Sequence, residues 1–156
     1  MELNYSDKDV IISDKKSIFL AGPTPRDEET VSWRLEAIDY LKKQNFNGVV
    51  YIPENELVRK KDYVDQAEWE RKALSNASII LFWVPRELEK MPAFTTNVEF
   101  GYWLAKTPQK IIYGRPNNAR KVKYLDWLYQ KESKLEIFDS LEKAISYSLE
   151  IISEVK

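Results

Sequence analysis

The chain contains no cysteine and no histidine among its 156 residues. The absence of cysteine excludes disulfides, thiolate nucleophiles and thiolate metal sites. The absence of histidine excludes Ser-His and Cys-His catalysis and the ordinary zinc sites. Any acid–base or nucleophilic chemistry must therefore be carried out by carboxylates, or less often by lysine or tyrosine.

Long apolar runs and a dominant charge are also missing. The longest wholly apolar run, Ile79 to Val84, is far shorter than the roughly 20 residues of a membrane span. The first 16 residues do not have the pattern of a secretory signal, so we expect a cytoplasmic protein that does not enter a membrane. With 24 basic and 25 acidic residues the net charge is -1, which provides no broad positive field for a nucleic acid. The expected partner is a small molecule.

The composition that remains predicts one α/β domain. Hydrophobic residues make up 44% of the chain, enough for a sizeable core. Continuous apolar runs, typical of parallel strands covered on both faces, alternate with helical segments. This alternation predicts a doubly wound α/β sandwich with a mainly parallel sheet of about five strands. Residues 1–16 form an N-terminal extension in which 10–12 is a candidate edge strand, and the domain is expected over 17–156. The predicted strands of the domain are 17–22, 48–53, 78–85, 110–114 and, at an edge, 134–138.

Helical periodicity marks segments between and after these strands. A helix is expected over 63–76. The first helix, 30–44, and the last, 140–155, each carry one apolar stripe, formed by Val31, Leu35, Ile38 and Leu41 and by Leu141, Ile145, Leu149 and Ile152. In such sheets ligands bind beyond the carboxyl ends of the strands. The loops expected to matter are therefore 22–26, 53–61, 85–97 and 114–118.

A polar start to an apolar helix, Phe94 to Trp103, is the most informative stretch of the chain. Thr96 and Glu99 match the capping box, in which a hydroxyl and a carboxylate satisfy free N–H groups at a helix start. In that case Glu99 is purely structural. Alternatively, the positive end of the helix keeps a first-turn Glu99 ionised, which suits a nucleophile. Both interpretations are compatible with the residues.

A second carboxylate, Glu70, is predicted on an inward stripe of the helix over 63–76. Burial would raise its pKa toward values useful for proton transfer. Alternatively, Glu70 lies at the edge of the stripe and pairs with Arg71 or a lysine. One ionised and one protonated carboxyl group are what cleavage of a glycosidic bond requires. The expected stripe is Tyr63, Ala67, Glu70, Leu74 and Ala77, with Trp69 beside it.

Other ligand sites of α/β proteins fit the sequence poorly. A phosphate cradle needs backbone N–H donors, and Pro23 and Pro25 each remove one from the loop 22–26. This disfavours a flavodoxin-type nucleotide site and a P-loop. A phosphoacceptor receiver domain needs acidic residues where the chain has Ala-Gly-Pro and Trp-Val-Pro. The loop 114–120 is either a turn with Asn118 as an N-cap or a substrate-contacting loop.

Several segments together resemble the nucleoside 2-deoxyribosyltransferase-like proteins. They are Phe-Leu-Ala-Gly-Pro at 19–23, Trp-Glu at 69–70, Phe-Trp-Val-Pro-Arg at 82–86, Met-Pro-Ala-Phe-Thr-Thr-Asn-Val-Glu-Phe-Gly at 91–101, and Gly-Arg-Pro at 114–116. The Thr-Thr-Asn-x-Glu-Phe-Gly part is the most specific. The resemblance implies a flavodoxin-like sandwich that transfers a 2-deoxyribosyl group between nucleobases through a covalent glycosyl-enzyme.

The resemblance also implies roles for individual residues. Glu99 would be the nucleophile and Glu70 the acid near the leaving base, with no metal and no organic cofactor. Better-known members carry Asp where this chain has Glu70, and another Asp in the loop where it has Ala93 to Thr96. The role of the second acid and the preferred base therefore stay open. The expected substrate-binding residues are Gly22, Pro23, Trp69, Thr95, Thr96, Asn97, Arg115 and Asn117.

Partners follow from the same resemblance. A nucleoside and a free nucleobase are expected, without a nucleic acid or a membrane. Family members complete their sites with residues of a neighbouring subunit, for which Asn117 and Asn118 are candidates, so a homo-oligomer is expected. Two alternatives remain: a nucleoside or nucleotide N-hydrolase that passes the sugar to water, and a non-catalytic nucleoside-sensing module on the same fold.

Overall fold

The protein is built on one five-stranded sheet whose strands are all parallel, with helices on both faces. The computed structural model describes residues 1–56 and 62–154. The strands are β1 (Glu2–Tyr5), β2 (Ser17–Ala21), β3 (Val49–Ile52), β4 (Ile79–Trp83) and β5 (Ile111–Gly114). The helices are α1 (Trp33–Lys43), α2 (Tyr63–Asn76), α3 (Phe94–Lys106), α4 (Lys123–Ser133) and α5 (Leu141–Glu154), with a short 3-10 turn at Pro108–Lys110.

The strand order is β1-β3-β2-β4-β5, which is a flavodoxin-like arrangement and confirms the predicted fold class. The order reverses between β2 and β4, where Ile18 lies beside Ile79 and Ala21 beside Phe82. Loops leaving two such strands diverge to opposite faces of the sheet and open a crevice at the carboxyl edge. That crevice is where the sequence leads us to look for a ligand.

Strands β2 to β5 are fully buried because helices cover both of their faces. Helices α2, α3 and α4 pack on one face, against side chains such as Phe19 and Phe82. Helices α1 and α5 pack on the other, against Leu20 and Leu81. Successive residues of a strand point to opposite faces, so a strand buried on both sides is apolar throughout. This explains why the apolar runs predicted β2 to β5 correctly.

The strand predicted at 134–138 is wrong. Only one parallel bridge, between Gly114 and Phe138, links this segment to the sheet. Lys134 adopts a left-handed conformation with φ 61° at the end of α4, and the Leu135 N–H donates to the Ser133 hydroxyl at 3.1 Å. The turn diverts the start of the segment, and of its residues only Phe138 bonds to β5, its N–H donating to the Tyr113 carbonyl at 3.1 Å and its carbonyl accepting from the Arg115 N–H at 2.9 Å. β5 therefore remains the last strand of the sheet.

The candidate edge strand at 10–12 is also wrong, because the edge strand is β1. The buried side chain of Asn4 explains the difference. Its Nδ2 donates to the Asp9 carbonyl and its Oδ1 accepts from the Ile11 N–H, both at 2.9 Å. These bonds hold the segment after β1 as a loop and use backbone groups that a strand ladder would otherwise take.

The bounds of the helices were predicted better than the faces that they bury. Helix α2 has its predicted bounds, and α5 carries the predicted stripe, although residue 155 lies outside the described residues. The predicted stripe of the first helix is wrong at two positions, because Val31 lies before α1 and is 74% exposed, and Leu35 is 55% exposed. The helix is rotated because Trp33, Arg34 and Ala37 take the inward positions, together with Ile38 and Leu41.

Candidate active site

A cavity of about 240 Å³ lies at the carboxyl edge of the sheet, beside the point where the strand order reverses. Its walls come from the loops after β2, β3 and β4 and from the helices α2 and α3. Both predicted catalytic carboxylates, Glu70 and Glu99, line it. We refer to it as the carboxylate cavity. Loop 53–61, expected to contribute, does so through Pro53, and its residues 57–61 lie outside the described part of the chain.

Gly22 shapes the floor of the carboxylate cavity. Its φ of +152° is rare for residues with a side chain, and a Cβ there would lie 2.1 Å from the Trp83 carbonyl oxygen. The chain therefore leaves β2 in close contact with β4, which only glycine permits. Pro23 follows and also lines the cavity.

Arg34 of α1 holds this loop from beneath. Its side chain is 1% exposed, and its guanidinium donates to backbone carbonyls along the loop. Because the guanidinium is a planar fork of donors, bonds to several acceptors fix the loop in one conformation. The acceptors are the carbonyls of Leu20 at 2.9 Å, Gly22 at 2.7 Å and Pro23 at 3.2 Å, and the Thr24 hydroxyl at 3.3 Å.

The charge of Arg34 is neutralised by Glu54, which follows β3. Nη1 of Arg34 lies 2.6 Å from Oε1 of Glu54, and the same oxygen accepts from the Ser32 hydroxyl at 2.7 Å. Burial lowers the pKa of Arg34, and the carboxylates of Glu54, Glu70 and Glu99 oppose that effect. Arg34 is thus a buried cation behind the loop, close enough to Glu54, Glu70 and Glu99 to interact with their charges, although it does not itself line the carboxylate cavity.

Helix α3 does not begin as a capping box. Its N-cap is Ala93, which has no side-chain capping bond, and the first helical residue is Phe94. Glu99 is consequently the sixth residue of the helix and lies beyond the first turn. Ala93 is left-handed, with φ 60° and ψ 41°, a conformation that costs a residue with a Cβ about 1–2 kcal/mol. Such strain at the rim of a cavity is typical of functional sites.

The environment of Glu99 raises its pKa, whereas the sequence predicted that a helix start would keep it ionised. Burial is the main cause, followed by the charge of Glu70 and a hydrogen bond with it, and Arg34 opposes them. Together these effects raise the pKa of Glu99 to about 8. The expectation failed because Glu99 lies too far along α3 to contact the free N–H groups.

Glu70 is half-buried on α2 and is held by Gln66, one turn earlier. Nε2 of Gln66 donates to Oε1 of Glu70 at 2.7 Å and, at 3.4 Å, to the Pro53 carbonyl. Among the described residues Glu70 forms no ion pair with Arg71 or a lysine, so the pairing alternative does not hold there. Part of the predicted stripe is wrong, because Trp69, Ala73 and Leu74 form the buried face of α2 while Tyr63 and Ala67 are exposed.

Glu70 and Glu99 form a pair of interacting carboxyl groups. Two carboxylates in contact in a partly buried site do not both ionise readily, so the pair retains one proton through part of the neutral range. A singly protonated pair contains one nucleophilic carboxylate and one proton donor. This is the protonation state that glycosidic cleavage requires.

Four of the predicted substrate-binding residues line the carboxylate cavity. Two others, Asn97 on α3 and Trp69 on α2, do not. The four are Gly22, Pro23, Thr95 and Thr96. Asn97 points to another part of the molecule, where its Oδ1 accepts from Arg86. Trp69 is 5% exposed and packs in the core against Phe19 and Tyr51, with ring centroids 6.2 and 6.4 Å away.

The two remaining predicted residues, Arg115 and Asn117, lie beyond β5 and do not line this cavity. Arg115 binds Asp126 of α4, with 2.8 Å between Nη2 and Oδ2. That ion pair and the bond from the Tyr113 hydroxyl to Asp126 hold the start of the loop against α4. The N-cap of α4 is Val122, so the expectation that Asn118 caps this helix is wrong. Asn117 is exposed.

Sequence reasoning missed residues that organise the cavity. Arg34 was overlooked because a charged residue in a helix is usually exposed. Arg26 lies in the predicted loop 22–26, and its N–H donates to the Lys90 carbonyl at 3.0 Å. Its guanidinium lies 5.6 Å from the ring centroid of Phe94. Arg26 thereby joins the two loops at the mouth of the cavity, a contact between distant segments that no local pattern reveals.

A wider groove continues from the carboxylate cavity between α2 and α3. It has a volume of about 550 Å³ and shares Glu70, Thr95 and Glu99 with the cavity. We call it the α2–α3 groove. Its exposed apolar side chains include Tyr63, Val64, Val98 and Tyr102.

Metal-binding and membrane-spanning features were also sought in residues 1–56 and 62–154. No group of three or more acidic residues in these ranges is arranged to hold a metal ion. None of their helices combines the length and apolar character needed to cross a membrane.

Comparison with known proteins supports one family. No curated protein matches the chain. A family model described as nucleoside 2-deoxyribosyltransferase like matches residues 15–117, which include Gly22, Arg34, Glu54, Glu70 and Glu99. This range covers more than half of the chain, and it contains the strands, loops and helices that form the carboxylate cavity. The chain belongs to the nucleoside 2-deoxyribosyltransferase-like family.

Proposed function

We propose that the protein cleaves the N-glycosidic bond of a nucleoside and transfers the 2-deoxyribosyl group to another nucleobase. Membership of the family implies small nucleoside and nucleobase substrates. The observation that carries the proposal is the contact of Glu70 and Glu99 in one cavity at the carboxyl edge of the sheet. We further propose that this reaction belongs to nucleotide salvage in the cytoplasm.

In the proposed mechanism Glu99 is the nucleophile and Glu70 manages the proton. The single proton that the raised pKa of Glu99 retains passes to Glu70 within the carboxyl pair when the substrate binds. The carboxylate of Glu99 then attacks C1′ of the sugar, and the bond from C1′ to the base nitrogen breaks. Glu70 donates its proton to the departing base, which leaves neutral. A second base then attacks C1′ from the vacated side, Glu70 accepts its proton, and the ester with Glu99 is broken. Two displacements retain the configuration at C1′.

The neighbouring side chains are suited to holding the sugar. Thr95 and Thr96 present hydroxyl groups at the start of α3, next to Glu99, where the family's better-known members carry an Asp. We assign contacts with sugar hydroxyls to these two threonines, and not to Asn97, whose amide is bound to Arg86. Exact placement of a sugar against the nucleophile accounts for a large part of such rate accelerations.

We also propose a homo-oligomer in which a second copy covers the α2–α3 groove. The groove joins the carboxylate cavity directly, and its exposed rim carries aromatic and branched apolar side chains. An apolar surface continuous with an open site fits the completion of that site by a neighbouring subunit. Sedimentation of the wild type and of Val98→Glu tests this, because a monomeric wild type would contradict the proposal.

The test of the reaction is base exchange. The protein is incubated with a 2′-deoxynucleoside and a different free base, and the products are separated by chromatography. We expect the new deoxynucleoside from the wild type and none from Glu99→Gln. Glu132→Gln on α4 is the matched control, because it removes one exposed carboxylate far from the cavity lining. Exchange by Glu99→Gln at the wild-type rate would exclude the covalent mechanism.

Other outcomes separate the alternatives. Release of free base without exchange would identify an N-hydrolase that uses the same carboxylates. Neither exchange nor release across purine and pyrimidine deoxynucleosides, ribonucleosides and their 5′-phosphates would favour a sensing module. In that case equilibrium binding of the same panel would distinguish a ligand-binding protein from an inactive preparation.

A further inference from the structure

Arg86, just after β4, is a second buried arginine, and it lies outside the carboxylate cavity. Its side chain is 5% exposed. Nη1 donates to the Lys121 carbonyl at 2.7 Å and Nη2 to the side chain of Asn97. Nε has no hydrogen-bond partner, and within 1–56 and 62–154 no carboxylate forms an ion pair with Arg86. A buried guanidinium without an anion is an unfavourable arrangement that binding of one would relieve.

Arg86 lines a cavity of about 210 Å³ between α3 and α4, which we call the Arg86 cavity. Asn97, Gly101, Lys121 and Tyr124 contribute to its lining. Asn97 and Glu99 are two positions apart on α3, so their side chains leave the helix about 200° apart around its axis. The Arg86 cavity therefore opens on the opposite face of α3 from the carboxylate cavity.

Gly101 leaves one side of the Arg86 cavity open. It lies inside α3, where glycine is less favourable than alanine. A Cβ built on Gly101 would meet no heavy atom within 4 Å, so no packing contact in the described structure requires glycine. The open space beside the helix backbone leaves room for a ligand to approach it.

The charges near the Arg86 cavity are positive. Lys121 lines it, and Arg120 and Lys123 lie beside Lys121 in the sequence. The nearest acid along α4, Asp126, is occupied by Arg115 and the Tyr113 hydroxyl. This cavity therefore suits an anion, in contrast to the acid-lined cavity on the other side of α3.

We propose that the Arg86 cavity is a binding site for a phosphate group, either free inorganic phosphate or a small phosphate monoester. A guanidinium with unused donors and a lysine ammonium are the side chains that proteins use most often to bind phosphate oxygens. Tyr124 adds a hydroxyl, and the open side of Gly101 leaves room for the oxygens beside the helix.

The experiment follows the Nε–H signal of Arg86 in ¹⁵N–¹H NMR spectra, assigned by its loss in Arg86→Lys. Inorganic phosphate is titrated at constant ionic strength with sodium chloride as the balancing salt, and glycerol 3-phosphate is titrated separately. We expect the Arg86 signal to shift with a Kd on the order of 1 mM for at least one of the two. The tighter of the two identifies the source of the phosphate group. No shift of this signal with either compound would overturn the proposal.

Two variants that retain Arg86 show whether binding occurs in the cavity. Lys121→Asn removes the lysine charge, and asparagine tolerates the left-handed conformation of this residue, whose φ is 56°. We expect about tenfold weaker binding. Lys123→Asn is the matched control, since it removes the same charge nearby but does not line the cavity.

Gly101→Met is the second variant, because it places an unbranched side chain in the open space without a clash at Cβ. We expect it to abolish the phosphate-dependent shift. Equal weakening by Lys121→Asn and Lys123→Asn would indicate only a general charge effect. That result, or unchanged binding by Gly101→Met, would overturn the assignment to this cavity.

Discussion

Arg34 and Arg86 are both buried, but the protein treats their charges differently. Arg34 pairs with Glu54 and donates to a row of loop carbonyls. Arg86 donates to one carbonyl and one amide, and no carboxylate of the described residues neutralises it. An arginine whose donors and charge all have partners fixes the local structure. An arginine with a free donor and no counter-charge can still bind an anion. The two cavities on either side of α3 therefore differ in charge. The carboxylate cavity has an excess of acidic groups, and the Arg86 cavity has an excess of positive charge.

The largest difference is expected from removing each guanidinium. Arg34→Met leaves three carbonyls without their donor and Glu54 without its counter-charge, with only the Ser32 hydroxyl still bonded to it. We expect a loss of about 3–5 kcal/mol in the free energy of unfolding. Arg86→Met strands no carboxylate, so we expect a smaller loss of about 1–3 kcal/mol from its two unpaired acceptors. Urea unfolding followed by tryptophan fluorescence measures both. Equal losses would show that the two arginines are structurally equivalent.

Replacement by lysine should separate positioning from charge. Arg34→Lys keeps the positive charge but cannot hold Leu20, Gly22 and Pro23 together. If the proposed function is correct, we expect kcat for base exchange to fall about 10²-fold, because small displacements at a reacting centre have effects of this size.

Arg86→Lys is the control for this comparison, and we expect base exchange within about twofold of the wild type because Arg86 lies outside the carboxylate cavity. Circular dichroism spectra and urea midpoints show whether each variant is folded. A normal kcat for folded Arg34→Lys would mean that the loop does not depend on the arginine fork.

The two interacting carboxyl groups of the carboxylate cavity should make the free energy of unfolding depend on pH. The pKa of Glu99 is raised in the folded state, so between about pH 4.5 and 8 the folded protein retains a proton that the unfolded chain releases. The free energy of unfolding contributed by Glu99 is therefore fully present below pH 4.5 and is lost as the pH rises through about 8.

Glu99→Gln removes this dependence, because glutamine is neutral at every pH. Relative to the wild type, we expect the variant to gain more than about 1.4 kcal/mol between pH 4.5 and pH 8, the equivalent of one pKa unit. Urea unfolding at the two pH values measures the gain, with Glu132→Gln as the control. A gain that is the same at both pH values would contradict the raised pKa of Glu99.

The features that could be predicted from the sequence are those encoded by local patterns. The apolar runs of β2 to β5 predicted strands because both faces of the sheet are covered. The strand predicted at 134–138 was wrong because Lys134 is left-handed and only Phe138 pairs with the sheet. Glu99 and Glu70 were identified as a pair, but Asn97, from the same motif as Glu99, binds Arg86. No pattern of neighbouring residues reveals that Arg34 points inward or that Ala93 is left-handed.

The smallest expected effect is that of a substitution at Gly101, and Gly22 provides the contrast. Gly101→Ala should stabilise the protein by about 0.5–1 kcal/mol, because a Cβ there meets nothing and alanine is the better helix former. Gly22→Ala should destabilise it, because its Cβ would lie 2.1 Å from the Trp83 carbonyl. Thermal unfolding measures both changes. A loss of stability in Gly101→Ala would show that the space beside Gly101 is not open, and the Arg86 cavity would then have no room there for the phosphate oxygens.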